Sequence, residues 1–101
     1  MTQTRFEWAE VKNLRNRQKH GVDFETAARI FADPFALSLQ DRVEGGQARW
    51  QTIGLVEGHL LLLVAHTIRE DMLNESIEVI RIISARKATR NERRRYEDEI
   101  R

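Results

Sequence analysis

The stretch from Leu60 to Ala65 (Leu-Leu-Leu-Leu-Val-Ala) is apolar without interruption. It is far too short to cross a bilayer, which takes about 20 residues as a helix. In a β-strand successive side chains leave opposite faces, so such a segment has to be covered on both sides. It therefore predicts the centre of a strand over His59–Arg69 in the middle of a sheet. Glu57-Gly58 immediately before it suits a tight turn back to another strand, Arg49 to Val56. A polar loop, Glu70 to Ser76, leads to a strand over Ile77–Ser84. Upstream, Phe35, Leu37 and Leu39 alternate with small or polar residues and supply one more. Connections this short imply a four-stranded, mostly antiparallel meander.

Helices are expected on either side of it. Ala9 to His20 carries a short apolar stripe of Trp8, Val11 and Leu14, with Gly21 suited to the residue after the C-cap. Lys19 and His20 in its last turn complement the helix dipole. Asp23 is a good N-cap for a second helix. Phe24, Ala27, Ala28 and Phe31 give that helix one apolar face at helical spacing, and Asp33-Pro34 ends it. Thr89-Arg90-Asn91-Glu92 fits a capping box and opens a helix that runs to the end. Only Tyr96 and Ile100 are larger apolar residues in it, a narrow stripe. Its arginines lie toward the N-terminus and its acids toward the C-terminus, the reverse of what the macrodipole favours. The expected fold class is α+β, in one domain over residues 1–101, ordered α-α-β-β-β-β-α. The two N-terminal helices share one face of the sheet.

At 101 residues the chain has material for one core. It has no cysteine, which removes disulfides, thiolate metal sites and cysteine nucleophiles. Met1 to Trp8 has no apolar h-region, so no secretory signal is expected and the expected location is the cytoplasm. The net charge of +1 hides an uneven distribution. Residues 1–22 carry five Lys/Arg against two Asp/Glu, residues 23–80 four against ten, and residues 81–101 eight against four. Basic ends around an acidic middle point to two surfaces with different partners.

The basic residues suggest a chemistry. Arg81 sits in Ile77-Glu-Val-Ile-Arg-Ile-Ile-Ser84, on the face of Val79 and Ile83, where an arginine needs an anion or a cleft. Arg69 closes the neighbouring strand, and pairing across the Glu70–Ser76 loop brings both to one side of the sheet. Arg86 and Lys87 follow. Guanidinium groups bind phosphate oxygens bidentately, so Arg69, Arg81 and Arg86 suit a phosphodiester. Internal salt bridges to Glu70, Asp71 or Glu78 are the plainer alternative. His20, His59 and His66 share no ligand spacing, so no metal site and no cofactor is expected. His59 is expected at a solvated turn, and His66 on the face opposite Thr67 and Arg69.

Taken in order, Phe6-Glu-Trp8, Asn16 to Val22, Phe24-Glu25, Asp33-Pro34, Arg49-Trp50, Ile53-Gly54, Thr67 with Arg69, and Arg81 to Ala88 followed by Glu92 and Tyr96 resemble the BrnT toxin family. The resemblance spans nearly the whole chain. It departs at Ala9, where an acidic residue is usual, and in a longer Glu70–Ser76 loop. It implies a RelE-like ribonuclease fold and a type II toxin that cleaves RNA. It also implies a BrnA-like antitoxin that meets DNA through its own DNA-binding domain, so that DNA is an indirect partner, and no membrane.

On that footing the chain is expected to be a metal-independent endoribonuclease. Arg69, Arg81 and Arg86 would stabilise the phosphate and transition state, with His20 in the catalytic set. Lys12, Lys19, Lys87, Arg93, Arg94 and Arg95 would hold the RNA. The rival is a non-catalytic module in which the same arginines grip nucleic acid or an acidic protein.

Overall fold

Leu61 and Leu63 lie on one side of the sheet, Leu62 and Val64 on the other, and all four are buried. The computed structural model, which describes residues 3–58 and 60–100, thus has the apolar run in a strand covered on both faces. His59 lies outside the described residues. Strands β2 (Leu37–Glu44), β3 (Gln47–Val56), β4 (Leu60–Glu70) and β5 (Ile77–Lys87) form the antiparallel meander. The β3–β4 connection begins with Glu57 and Gly58, both at positive φ (55° and 79°).

Two expectations about order and number are corrected. The chain does not open with its helices, and the sheet does not have four strands. Gln3–Glu7 forms a strand, β1, that pairs parallel with β5, and the five-stranded mixed sheet runs β1-β5-β4-β3-β2. Only Phe6 in β1 is strongly apolar, so no period-2 pattern announces the strand. Its partner is more than 70 residues away, and pairing comes from the third dimension. The last strand also continues beyond Ser84 to Lys87.

Helices α1 (Glu10–His20) and α2 (Phe24–Ala28), the latter followed by a 3-10 turn over Arg29–Ala32, cover one face. Their core includes Val22, Phe24, Ala27 and Ile30 against Val56, Leu62, Val64, Ile80 and Ile82. Ile30 sits so close to Gly54 that a Cβ there would lie 2.7 Å from its own. The expected caps form: Asp23 Oδ1 accepts from the Thr26 N–H at 2.7 Å, and the Gly21 N–H donates to Arg17. The stripe of α1 differs from expectation. Val11 and Leu14 are more than half exposed, and the residue α1 buries is Asn16.

Asn16 explains how α1 is seated. β1 accompanies β5 only as far as Arg81. Beyond that point Asn16 takes the position a strand would hold, donating to the Ala85 carbonyl at 2.8 Å and accepting from the Ala85 N–H at 3.1 Å. It also donates to the Val22 carbonyl at 2.8 Å. One side chain thus satisfies buried backbone groups that would otherwise lack partners.

Helix α3 (Arg90–Ile100) lies on the opposite face, where Tyr96 packs with Ile53, Leu61 and Leu63. The capping box is present: Thr89 N–H donates to Glu92 Oε1 at 2.8 Å, and Glu92 N–H to Thr89 Oγ1 at 3.3 Å. Among the described residues no helix is long and apolar enough to cross a membrane.

His66 points into the α1–α2 face of the sheet, as alternation predicts, and is fully buried. Its ring meets Phe31 edge-on at 4.9 Å, and Nε2 lies 2.7 Å from Thr52 Oγ1, which contacts Ser38 Oγ at 2.8 Å. Burial pushes its pKa down, against a smaller opposing effect of the Thr67 carbonyl. The folded protein thus resists a proton that the unfolded chain binds, and stability falls as pH drops below the ordinary histidine value of about 6.5. Urea unfolding at pH 7.5 and 5.5 will give a lower midpoint at 5.5, and His66→Gln will flatten that difference. Asp23, Asp33 and Glu92, all held below the ordinary carboxylate range, act in a separate, more acidic window.

Candidate functional site

Arg69 and Arg81 meet, as their positions predict, on the face of the sheet that carries α3. Arg81 is opposite Thr67 and Arg69 opposite Val79, so antiparallel pairing puts both on one side. The anion between them is none of the three acids expected from the sequence. It is Glu7, the last residue of β1 and the register partner of Arg81. Its Oε1 accepts from Arg69 at 3.1 Å and its Oε2 from Arg81 at 2.9 Å. All three side chains remain between about one-third and one-half exposed. Asp71 instead pairs with Arg5.

Arg86 shares the face but belongs to a different cluster, about 16 Å further along β5 at the usual strand rise. Both its terminal nitrogens bind Glu92, at 2.8 and 2.9 Å. Glu92 is also the capping residue of α3. The guanidinium, aided by the Thr89 N–H, holds this carboxyl down at about 2, and Glu92 in turn raises Arg86. While α3 is seated, Arg86 has no free fork for a phosphate.

A third group surrounds the bulge in β5. Pairing passes from Ala65–Ser84 to His66–Ile82, leaving Ile83 as the extra residue. Where α1 runs beside this irregularity there is a cleft of about 300 Å³, lined by Lys12, Arg15, Asn16, Lys19, His20, Ile83 and Ser84. Four basic side chains converge there, and no carboxylate lines it. Among the described residues none of Lys12, Arg15, Lys19 and His20 makes an ion pair. Sequence reasoning missed Arg15. Its signal was the spacing of Lys12, Arg15 and Lys19 at i, i+3 and i+7, which makes one helix face.

Lys87 is exposed at the end of β5. Arg93, Arg94 and Arg95 are exposed on α3, the first two lining a hollow with Arg90, Glu97 and Asp98. Among the described residues none of them makes an ion pair with the Arg69–Glu7–Arg81 cluster. Among the described residues no three His, Asp or Glu side chains gather as metal ligands.

A family profile described as ribonuclease toxin, BrnT, of type II toxin-antitoxin system matches residues 8–92. The chain belongs to the BrnT family. Membership carries an RNA target and an antitoxin partner with it. The family match includes Arg69, Arg81, Arg86 and the whole α1 cleft, while Glu7 falls one residue before it. The fold agrees with the crystal structure of the Brucella abortus ribonuclease toxin BrnT, at a TM-score of 0.65 and 23% identity, over 88% of this chain and 100% of that one. No curated protein matches the chain.

Proposed function

We propose that the chain is a metal-independent endoribonuclease on a RelE-like fold, acting in the cytoplasm, whose RNA crosses β5 between α1 and the arginine pair. The observation that carries this is the cleft beside α1, where three cations and a histidine converge without a carboxylate. RNA offers one negative charge per nucleotide, and a groove of unpaired cations follows such a backbone. Ser84 on the cleft wall is only about 10 Å along β5 from Arg81 at the usual strand rise.

In this scheme Arg69 and Arg81 bind the scissile phosphate and stabilise the charge that develops on it. Lys12, Arg15, Lys19 and His20 hold a flanking stretch of backbone. His20, which lines the same cleft, is the nearest candidate there for proton transfer. Arg86 acts through Glu92 as the tie that seats α3, and Lys87 with Arg93, Arg94 and Arg95 adds long-range attraction. A BrnA-like antitoxin with its own DNA-binding domain would neutralise the toxin, so DNA enters only through that partner.

Changing Lys12 and Lys19 together to alanine tests the cleft. Each single-strand phosphate contact contributes about 0.7 to the slope of log K against log salt, so losing two lowers that slope by about 1.4. The double variant will bind single-stranded RNA more weakly at low salt and with that reduced slope. An unchanged slope would remove the cleft from the RNA path.

A further inference from the structure

We propose that Glu7 is a catalytic residue, the base that takes the proton from the attacking ribose 2′-hydroxyl between Arg69 and Arg81. This rests on the ribonuclease reading above and adds a proton acceptor between the two arginines.

The two arginine–carboxylate clusters on this face differ in what they leave free. In the Arg86–Glu92 pair the fork is closed: two nitrogens meet two oxygens, and Glu92 Oε1 also accepts from the Thr89 N–H. Glu7 has one arginine on each oxygen. A carboxylate offers about four lone-pair positions, so each of its oxygens can take one further donor. Arg81 uses one N–H on Glu7, and Arg69 uses one there and a long 3.5 Å contact to the Glu70 carbonyl. Each guanidinium has five N–H donors, so most remain available. The cluster can accept an O–H proton and donate to phosphate oxygens at the same time. Stability does not require such an arrangement, because ion pairs this exposed contribute about 0–1 kcal/mol.

The step balances. The ribose O2′–H proton passes to the Glu7 carboxylate as the O2′–P bond forms. The P–O5′ bond breaks with its electron pair, and the departing 5′-oxygen takes a proton from water. The products are a 2′,3′-cyclic phosphate and a 5′-hydroxyl, and Glu7 returns its proton to solvent. Arg69 and Arg81 face the charge gained by the non-bridging oxygens. No metal ion or cofactor has a part in this sequence of events.

The test is single-turnover cleavage of single-stranded RNA by the full chain and by Glu7→Gln, with RNA affinity measured separately. Glutamine keeps the shape and an acceptor oxygen but cannot take the proton. General-base loss lowers the rate by about 10²–10⁴-fold. The expected result is a loss in that range, RNA affinity within about threefold, and disappearance of the acid limb of the pH–rate profile. Arg69 and Arg81 are the charged groups that face Glu7, from β4 and β5. Undiminished cleavage by Glu7→Gln, or a rate loss matched by an equal loss of affinity, overturns the assignment while leaving the ribonuclease reading intact. A wild-type protein that does not cleave RNA overturns both. If circular dichroism finds Glu7→Gln unfolded, the wild-type profile decides. An acid limb lost through a single ionisation supports Glu7, and a rate that does not fall on the acid side overturns it.

Discussion

Arg81→Ala will lower RNA cleavage by about 10²–10³-fold, the usual effect of removing one donor to transition-state charge, while the protein still folds. The expectation of an intact fold follows from the setting of Arg81. Its side chain is 45% exposed and its ion pair is with the partly exposed Glu7. The strand around it is anchored by Val79, Ile80 and Ile82, all buried. Arg81→Lys will restore little, because an ammonium cannot bridge a carboxylate and a phosphate with a planar fork. Thermal unfolding and a single-turnover assay on the same preparation separate the two effects. A folded, fully active Arg81→Ala protein would remove Arg81 from the chemistry, and an unfolded one would make it structural.

Tyr96→Ala will cost about 3–5 kcal/mol, a large part of the roughly 5–15 kcal/mol expected for a domain of this length. Tyr96 is the only residue α3 buries, against Ile53, Leu61 and Leu63. Its hydroxyl also donates to Asp33 Oδ2 at 2.6 Å. Burial, then that neighbouring carboxylate, pushes the phenol up to about 12. Burial alone would raise Asp33, but the Tyr96 hydroxyl and the Leu55 and Phe35 N–H groups outweigh it and hold the carboxyl below its usual range. Tyr96→Phe keeps the packing and loses only a hydrogen bond to a charged group, about 1.5–3 kcal/mol. Urea midpoints will therefore fall in the order wild type, Tyr96→Phe, Tyr96→Ala. A Tyr96→Ala stability within about 1 kcal/mol of wild type would mean that the Tyr96 contacts contribute little to the fold.

These residues also indicate which features a sequence carries openly. The Asp23 and Thr89–Glu92 caps are local, with donor and acceptor three residues apart, and they form as expected. Alternation puts Arg69 with Arg81 and turns His66 away from them, because a strand's period survives without knowledge of its neighbours. β1 escaped notice because its sequence, Gln-Thr-Arg-Phe-Glu, holds no pattern and its pairing is non-local. With β1 went Glu7, whose role depends on lying beside Arg81. Asn16 was hidden for a similar reason: its buried amide replaces a strand that is absent, and nothing in its surroundings along the chain says so. Val11 and Leu14 misled in the other direction, since a stripe of three apolar residues is too short to declare which face of a helix is buried. Arg86 was legible as a phosphate ligand by type, and its partner Glu92 was legible only as a cap.

On the proposed reading this fold cuts RNA with its own side chains. The most direct measurement incubates the purified chain with end-labelled single-stranded RNA in excess EDTA and identifies the product ends. Cleavage that persists in chelator and leaves a 2′,3′-cyclic phosphate is the predicted result. Binding without cleavage, or cleavage that returns only when a divalent cation is added, would contradict it.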